Sequence, residues 1–311
     1  MKKDSKIYIA GHTGLFGSST LRILKEQGFK NFILRTHSEL DLTRQSEVEN
    51  FFAVEQPEYV FVMCGKVGGI KANSENMFDF AAENLKMNMN IIESAHKVGV
   101  KKLLYLGSSC MYPKKSINPI KEDNLLKGEI EPTNEGYALS KIIGLKLCRY
   151  LKNQYGDSFI SCIPSNVYGL GDSFDESHNH VIPALIKRFH KAKTENIESV
   201  EIWGSGKPQR DFLYIDDAVE ACIQLMQNYD EIEPVNIGTG KSTTIKELAE
   251  TVAKVVGYEG KLFFDTSKPD GMMLRALDSE KILSMGWQPK ISLEEGLKRT
   301  YKYFLDEVNE L

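Results

Sequence analysis

What the 311-residue chain lacks narrows its role first. Its five cysteines, Cys64, Cys110, Cys148, Cys162 and Cys222, are odd in number and widely scattered, with no CxxC and no Cys/His pair at zinc-ligand spacing. That argues against a disulfide framework and a metal site, so the cysteines read as reduced and mostly buried. No apolar run is long enough to span a bilayer. The opening MKKDSKIYIAG passes directly into a strand and a glycine turn, without a cleavable signal region. Nor is there a block of one charge. The net charge is −4 with acids and bases interspersed, which leaves no footprint for nucleic acid or an anionic membrane. Internal repeats and low-complexity segments are missing too. What remains is a globular chain expected in the cytoplasm, one large domain or two modest ones sharing a core.

Strand-like and helix-like segments alternate from the first residues. KIYIAG, NFILRT, YVFVMCG, KKLLYLGS and FISCIPS read as short apolar strands. SSTLRILKEQGF, QSEVENFFAVEQ, a pattern over roughly 74–99, and a stretch from near Tyr137 through KIIGLKLCRYLKNQYG read as helices. Such alternation predicts an α/β fold, a doubly wound parallel sheet of the Rossmann kind with helices on both faces. After Tyr168 the rhythm breaks into polar and Gly/Pro punctuation around a helix at IPALIKRFHKA. DFLYI and a helix from Asp216 are expected to return to the first domain, with Asp216 and Asp217 capping that helix. Helices at TIKELAETVAKVVG and from Leu293 complete the chain. The expected division is a dinucleotide-binding domain over 1–168 plus about 210–238. A smaller C-terminal substrate-binding domain, about 169–209 plus 239–311, would cap the carboxyl edge of the sheet.

GHTGLFG sets Gly11, Gly14 and Gly17 between the first strand and the first helix. Glycines there let the backbone turn tightly and approach a pyrophosphate seated on the helix N-terminus. Three glycines alone are a weak signal; their place in an alternating β/α pattern strengthens it. An acid at the end of the second strand would hold the ribose 2′-hydroxyl of NAD. FILRT instead puts Arg35 there, and a guanidinium suits a 2′-phosphate, which points to NADPH. The bland alternative is a solvated surface arginine, with Asp41 close behind.

YALSK places Tyr137 and Lys141 four residues apart on one helix face. Hydride delivery to a ketone leaves a developing alkoxide, which a tyrosine can protonate. A lysine one turn away is expected to lower the phenol from its ordinary value of about 10. Ser108, at the end of a neighbouring strand, would hold the carbonyl oxygen. Cys110, in GSSCMYP, has two readings: a small packed residue, or an acid/base in its own right.

Together GHTGLFG, SSC and YALSK resemble an extended short-chain dehydrogenase/reductase of the sugar-nucleotide-modifying kind. More narrowly, KVGGIKAN (66–73), GSSCMYP, EGYALSKIIGLKLC, PSNVYG (164–169), SHNHVIPALIKRFH (177–190) and WGSGKPQRDFLYIDD (203–217) are similar to the GDP-L-fucose synthase family, in order along nearly the whole chain. A dehydratase would carry Asp-Glu beside its Ser/Thr; here Cys110 and Met111 follow. The resemblance implies an NADPH-dependent enzyme that inverts C3 and C5 of a GDP-linked 4-keto-6-deoxy sugar and then reduces C4. A ketone acidifies both neighbouring C–H groups, and one base cannot reach both faces, so two acid/base groups are wanted; the family positions fall on Cys110 and His180. On the cofactor side the resemblance adds Leu15, Phe16, Asp41, Leu42 and His180 to the glycines, Arg35, Tyr137 and Lys141. On the substrate side it implies Ser109, Asn166, Lys187, Arg188, Trp203, Arg210 and Asp278. It also implies a homodimer through the helices near 74–99 and 137–156. Two departures stand out. Thr13 occupies a position where some members carry arginine near the cofactor phosphate, and the loop GLGDSFDESHN differs, Leu170 through Asp175 especially. A C4 reductase of a GDP-4-keto-6-deoxy-heptose, without epimerase activity, is therefore the alternative.

Overall fold

IYIA, YVFV and FISCIP show no polar/apolar alternation, so each strand has to be covered on both faces, which a parallel sheet between two helical layers does. The computed structural model describes residues 1–175, 180–268 and 270–308. In chain order its strands are β1 (Ile7–Ala10), β2 (Phe32–Ile33), β3 (Tyr59–Val62), β4 (Lys102–Leu106), β5 (Phe159–Pro164), β6 (Asn166–Tyr168), β7 (Ser199–Trp203), β8 (Gln209–Arg210), β9 (Phe212–Tyr214), β10 (Val235–Ile237), β11 (Thr243–Thr244), β12 (Lys261–Asp265) and β13 (Leu274–Arg275). The helices are α1 (Leu15–Glu26), α2 (Gln45–Glu55), α3 (Ile70–Glu75), α4 (Met77–Lys97), α5 (Glu135–Tyr155), α6 (Val181–Thr194), α7 (Ile215–Asn228), α8 (Ile245–Val256), α9 (Glu280–Ser284) and α10 (Leu293–Tyr303). Among the described residues no helix is long and apolar enough to cross a membrane.

Six strands form one parallel sheet in the order β10-β5-β4-β3-β1-β2. Successive residues of β1 serve opposite cores: Ile7 and Ile9 pack with Ile23 of α1 and Val219 of α7, while Tyr8 and Ala10 pack with Val48 of α2, Ile91 of α4 and Ile142 of α5. Each fully buried side chain of this size contributes roughly 1.5–3 kcal/mol. β2 lies to one side of β1 and β3 to the other, so the crossover direction reverses there. A crevice opens where the two connections part, above the carboxyl ends of β1 and β3. Small sheets surround that edge: β6 with β9, β7 with β12, and β8 between β11 and β13.

Several local expectations are revised. DFLYI does not rejoin the main sheet; β9 pairs with β6, and β10 supplies the sixth strand. A three-residue strand such as VNI is too short to carry a period. NFILRT shortens to Phe32–Ile33, and the helical pattern over 74–99 breaks at Asn76 between α3 and α4. Asp216 and Asp217 sit in the first turn of α7, whose N-cap is Tyr214. Asp216 pairs with Arg22 of α1, and Asp217 accepts from the Ile291 amide at 2.9 Å, so they tie neighbouring elements to the helix rather than cap it.

Asp211, between β8 and β9, is fully buried. Its carboxylate accepts from the Thr239 amide at 3.0 Å and from Thr239 Oγ1 at 2.6 Å, and a Cβ on Gly238 would fall 2.3 Å from its Oδ2. Burial pushes the carboxyl up from 3.8 to about 6, against the hydrogen bonds from Thr239 and Gly240. The folded state thus holds this proton more tightly than the unfolded chain. Its contribution to stability is highest below pH 3.8, falls as pH rises to about 6, and is level above that; the fall is about 3 kcal/mol. In denaturant unfolding followed across this pH window, Asp211→Asn is expected to lack that fall. Parallel pH profiles for variant and wild type would remove Asp211 from the role.

Candidate active site

The turn after β1 is shaped for close approach. Gly11 has φ of 82°, and a Cβ there would lie 2.8 Å from the Cα of Cys64, just beyond β3. A Cβ on Gly17 would lie 2.0 Å from the Gly11 carbonyl oxygen. Gly14 is the N-cap of α1, in extended conformation, with no capping side chain and no acid in the first turn. The positive end of α1, with Leu15 and Phe16 in its first turn, is therefore open to an anion at backbone distance. His12 Nδ1 and Ser165 Oγ, which follow β1 and β5, are buried without a hydrogen-bond partner among the described residues. Cleared backbone and orphaned polar atoms along one sheet edge fit a bound dinucleotide.

Arg35 follows β2 as expected, but it is engaged. Its Nη2 lies 2.6 Å from Glu55 Oε1, and its guanidinium lies over the Phe51 ring at 5.7 Å. A 2′-phosphate would have to share or displace Glu55. Asp41 accepts from the amide and hydroxyl of Thr43, which hold its carboxyl below the ordinary range, and Leu42 offers its carbonyl to Asn90 of α4 at 2.9 Å. Both residues fix the rim of the crevice.

The expected reductase residues converge beyond β4. Ser108 opens a single 3₁₀ turn, Ser109–Met111. Cys110 Sγ donates to Ser108 Oγ at 3.1 Å, and the Tyr137 phenol lies close enough to feel both residues. Lys141 is buried on α5; its Nζ donates to the Leu106 carbonyl at 3.0 Å and lies 6.0 Å from the Tyr137 ring centroid. The expectation that Lys141 lowers the phenol is corrected here. Burial pushes Tyr137 up, the Cys110 sulfur adds to this, and Ser108 opposes it. Lys141 directs its hydrogen bond to a strand-end carbonyl instead of the phenol, and burial lowers its own pKa. A phenol held protonated is a proton donor, as alkoxide quenching needs. Burial also raises the Cys110 thiol, countered by Ser108 and then by the charges of Arg275 and Lys141. Cys110 is thus both packed and hydrogen-bonded to the serine beside it.

Arg275 was not foreseen from the sequence. It is buried, and its register partner across β8–β13 is Arg210. Arg275 donates to the Ser109 carbonyl at 3.1 Å and the Tyr112 carbonyl at 3.4 Å; Arg210 donates to the carbonyls of Gln209 and Met272 at 2.7 and 2.6 Å. Neither has a carboxylate within 4.0 Å among the described residues; burial lowers both pKa values, the charge of Arg275 adds to this at Arg210, and Cys110 and Glu131 oppose it at Arg275. Two adjacent guanidiniums with no acid in contact leave room for an external anion. No spacing signal in KPDGMMLRALD could have marked Arg275, because its partner stands 65 residues earlier.

The other substrate positions are spread out. Arg188 donates to the Glu201 carbonyl at 2.7 Å and, with Trp203, lines a surface cleft of about 390 Å³. Trp203 Nε1 donates to Glu201 Oε1 at 2.9 Å, and Lys187 donates to the Phe174 carbonyl at 3.4 Å. Asn166 ties to the Asp211 carbonyl at 3.1 Å. Asp278 stands apart from the arginine pair: it accepts from the Glu280 amide at 2.9 Å and lies 4.0 Å from Lys121. His180 is the N-cap residue of α6 and its Nδ1 is 3.6 Å from Asp172 Oδ1; no described hydrogen bond joins it to Ser108, Cys110 or Tyr137. The last four residues of GLGDSFDESHN, 176–179, lie outside the described residues.

Comparison with known proteins gives a family and relatives. Residues 7–238 match the model of the NAD dependent epimerase/dehydratase family. The chain is 53% identical over 308 residues to a putative GDP-L-fucose synthase 2 of Arabidopsis thaliana, covering 99% of this chain and 94% of the relative. It is 46% identical to a GDP-L-fucose synthase of Escherichia coli (strain K12), covering 97% of each. Among solved structures, a GDP-mannoheptose C4 reductase from Campylobacter jejuni with NADP bound superimposes with a TM-score of 0.90 at 40% identity, over 98% of this chain and 99% of that one.

A methyl group on Gly17 would collide with backbone, so it must push α1 off the turn. Gly17→Ala is expected to weaken NADPH binding, read by fluorescence titration, by about tenfold or more, equal to about 1.4 kcal/mol. Unchanged affinity would show that the turn does not hold the pyrophosphate.

Proposed function

The chain belongs to the NAD dependent epimerase/dehydratase family, and within it we propose the activity of a GDP-L-fucose synthase: NADPH-dependent inversion of C3 and C5 of a GDP-4-keto-6-deoxy sugar, then reduction of C4. The observation that carries this reading is the cluster of Cys110, hydrogen-bonded to Ser108, with Tyr137, whose phenol feels both. Ketone reduction needs the serine and tyrosine; a thiol bonded into the same cluster suits the proton transfers of inversion.

Bound NADPH supplies the hydride that reduces C4. Ser108 and Tyr137 hold the C4 oxygen, as enolate during inversion and as alkoxide during reduction. Cys110 and His180 remove and return protons at the two carbons flanking the ketone, one from each face. Tyr137 protonates the C4 alkoxide. Lys141 holds its place on the Leu106 carbonyl and keeps a positive charge beneath the ring. Arg210 and Arg275 balance the diphosphate, and Lys187, Arg188 and Trp203 extend the grip toward the nucleotide.

We assign the cofactor to residues 1–168 with about 210–238, and the GDP-sugar to about 169–209 with 239–311. Exposed Phe78 and Met89 of α4 beside exposed Leu139 and Ile143 of α5 support a homodimer through these helices. Five free cysteines suit a reducing cytoplasm. A C4 reductase of a GDP-heptose, without epimerase activity, is the second reading, favoured by the likeness to the Campylobacter jejuni reductase.

Incubation in heavy water with GDP-4-keto-6-deoxy-mannose and no NADPH, followed by NMR, separates the two. Deuterium entering C3 and C5, and lost in Cys110→Ser and His180→Asn, is the expected result. Exchange at neither carbon, with NADPH oxidation intact on the heptose substrate, would leave a plain C4 reductase. Separately, Arg275→Ala is expected to raise KM for the GDP-sugar by about 10–100-fold, the loss of one charged hydrogen bond at about 1.5–3 kcal/mol, with NADPH affinity retained. Steady-state kinetics showing an unchanged KM would take Arg275 off the diphosphate.

A further inference from the structure

We propose that Asp172 is a positioning residue for His180: the turn over residues 169–172, seated between α1 and α7, holds a buried carboxylate against Nδ1 of the ring and leaves Nε2 as its proton-carrying atom. This deepens the reading above and rests on His180 being one of the two acid/base groups.

The turn is set by close contacts. Gly171 has φ of 86°, and a Cβ there would lie 2.9 Å from Ser18 Oγ and 3.6 Å from the Leu15 Cα. A Cβ on Gly169 would fall 2.4 Å from Ile215 Cγ2 of α7, and the Asp172 amide closes the turn on the Gly169 carbonyl at 3.2 Å. The carboxylate is therefore registered to the first turn of α1, where the cofactor would be cradled. Asp172 is 7% exposed. Its Oδ1 accepts from the Ser173 amide at 3.0 Å and lies 3.6 Å from His180 Nδ1, while its Oδ2 is buried with no hydrogen-bond partner among the described residues. A buried carboxylate oxygen without a donor is costly, and a cationic ring nearby offsets that cost.

His180 needs such a partner. It occupies the N-cap position of α6 without making a side-chain cap, and the positive end of a helix opposes an imidazolium. Among the described residues Asp172 is the charged group acting on the half-exposed ring, and its carboxylate at 3.6 Å raises the pKa of His180 against partial desolvation. Lys187, on the same helix, is turned to the Phe174 carbonyl. A carboxylate on Nδ1 also selects the tautomer and fixes the ring plane.

The test uses the full chain in the same heavy-water exchange. The carbon whose exchange is lost in His180→Asn is the His180 centre. Asp172→Asn is expected to slow exchange at that carbon about 10–100-fold, as loss of an orienting partner does, and to leave the other carbon unchanged. Wild-type rates at both carbons, or equal slowing at both, would overturn the proposal. Should Asp172→Asn fail to fold, nitrogen NMR of the wild-type chain decides it. The His180 ring, assigned by its absence in His180→Asn, is expected to titrate above its ordinary value of about 6.5. A midpoint at or below that value would overturn the pairing. If His180→Asn keeps both exchanges, the acid/base reading of His180 fails instead, and the ring titration still decides whether Asp172 holds it.

Discussion

A sheet whose six strands all run the same way has to bring their carboxyl ends to one edge, and the rest of this molecule is arranged around that edge. Each crossover spends a helix to return the chain, so every strand end is followed by a short turn above the sheet. Gly11 follows β1, Cys64 follows β3, Ser108 follows β4 and Ser165 follows β5. Residues separated by up to 154 positions in sequence become neighbours of one crevice for this reason alone. The small sheets and α6 lie over that edge because it carries the unfinished polar business of the strands: carbonyls such as that of Leu106, which Lys141 satisfies, and hydroxyls such as that of Ser165, which nothing described satisfies.

The charge arrangement follows from the same geometry. Lys141 and Arg275 are drawn out of water, Arg210 partly so, and each is given backbone carbonyls in place of carboxylates. Carbonyls meet the hydrogen-bonding need of a buried cation without cancelling its charge, so the site keeps a positive field. Pairing with acids would have made a steadier fold and a site with no hold on a diphosphate. Carboxylates do meet cations around the site, as Glu55 meets Arg35 on the outer rim and Asp172 faces His180. The field that favours an anionic ligand also draws the buried Cys110 thiol back from the rise that burial causes, through Arg275 and Lys141. Binding and proton transfer thus draw on one set of cations.

Much of this was legible in the sequence, and for identifiable reasons. Apolar runs such as IYIA and YVFV, bounded by glycine turns, announced a parallel sheet because strands buried on both faces cannot alternate. GHTGLFG and YALSK were legible because their chemistry is local: glycines clear a turn within seven residues, and Tyr137 and Lys141 share one helix face. What escaped was nonlocal or too short for a period. The sixth strand, β10, is three residues long, and β9 took β6 as its partner instead of the main sheet. Arg275 gained meaning only by pairing with Arg210 across two-residue strands.

By itself, then, the sequence determined the order of strands and helices, the cofactor turn and the serine, tyrosine and lysine of the reductase, since each of these depends on neighbours along the chain. Tertiary structure alone decided which charges stay unpaired and which way each proton-carrying group is biased. Whether Arg35 meets Glu55, whether Lys141 turns to Leu106 or to the phenol, and whether His180 meets Asp172 are questions of distance through space. Burial and electrostatics act across a few ångströms whatever the separation in sequence, so no reading of spacing along the chain could have answered them.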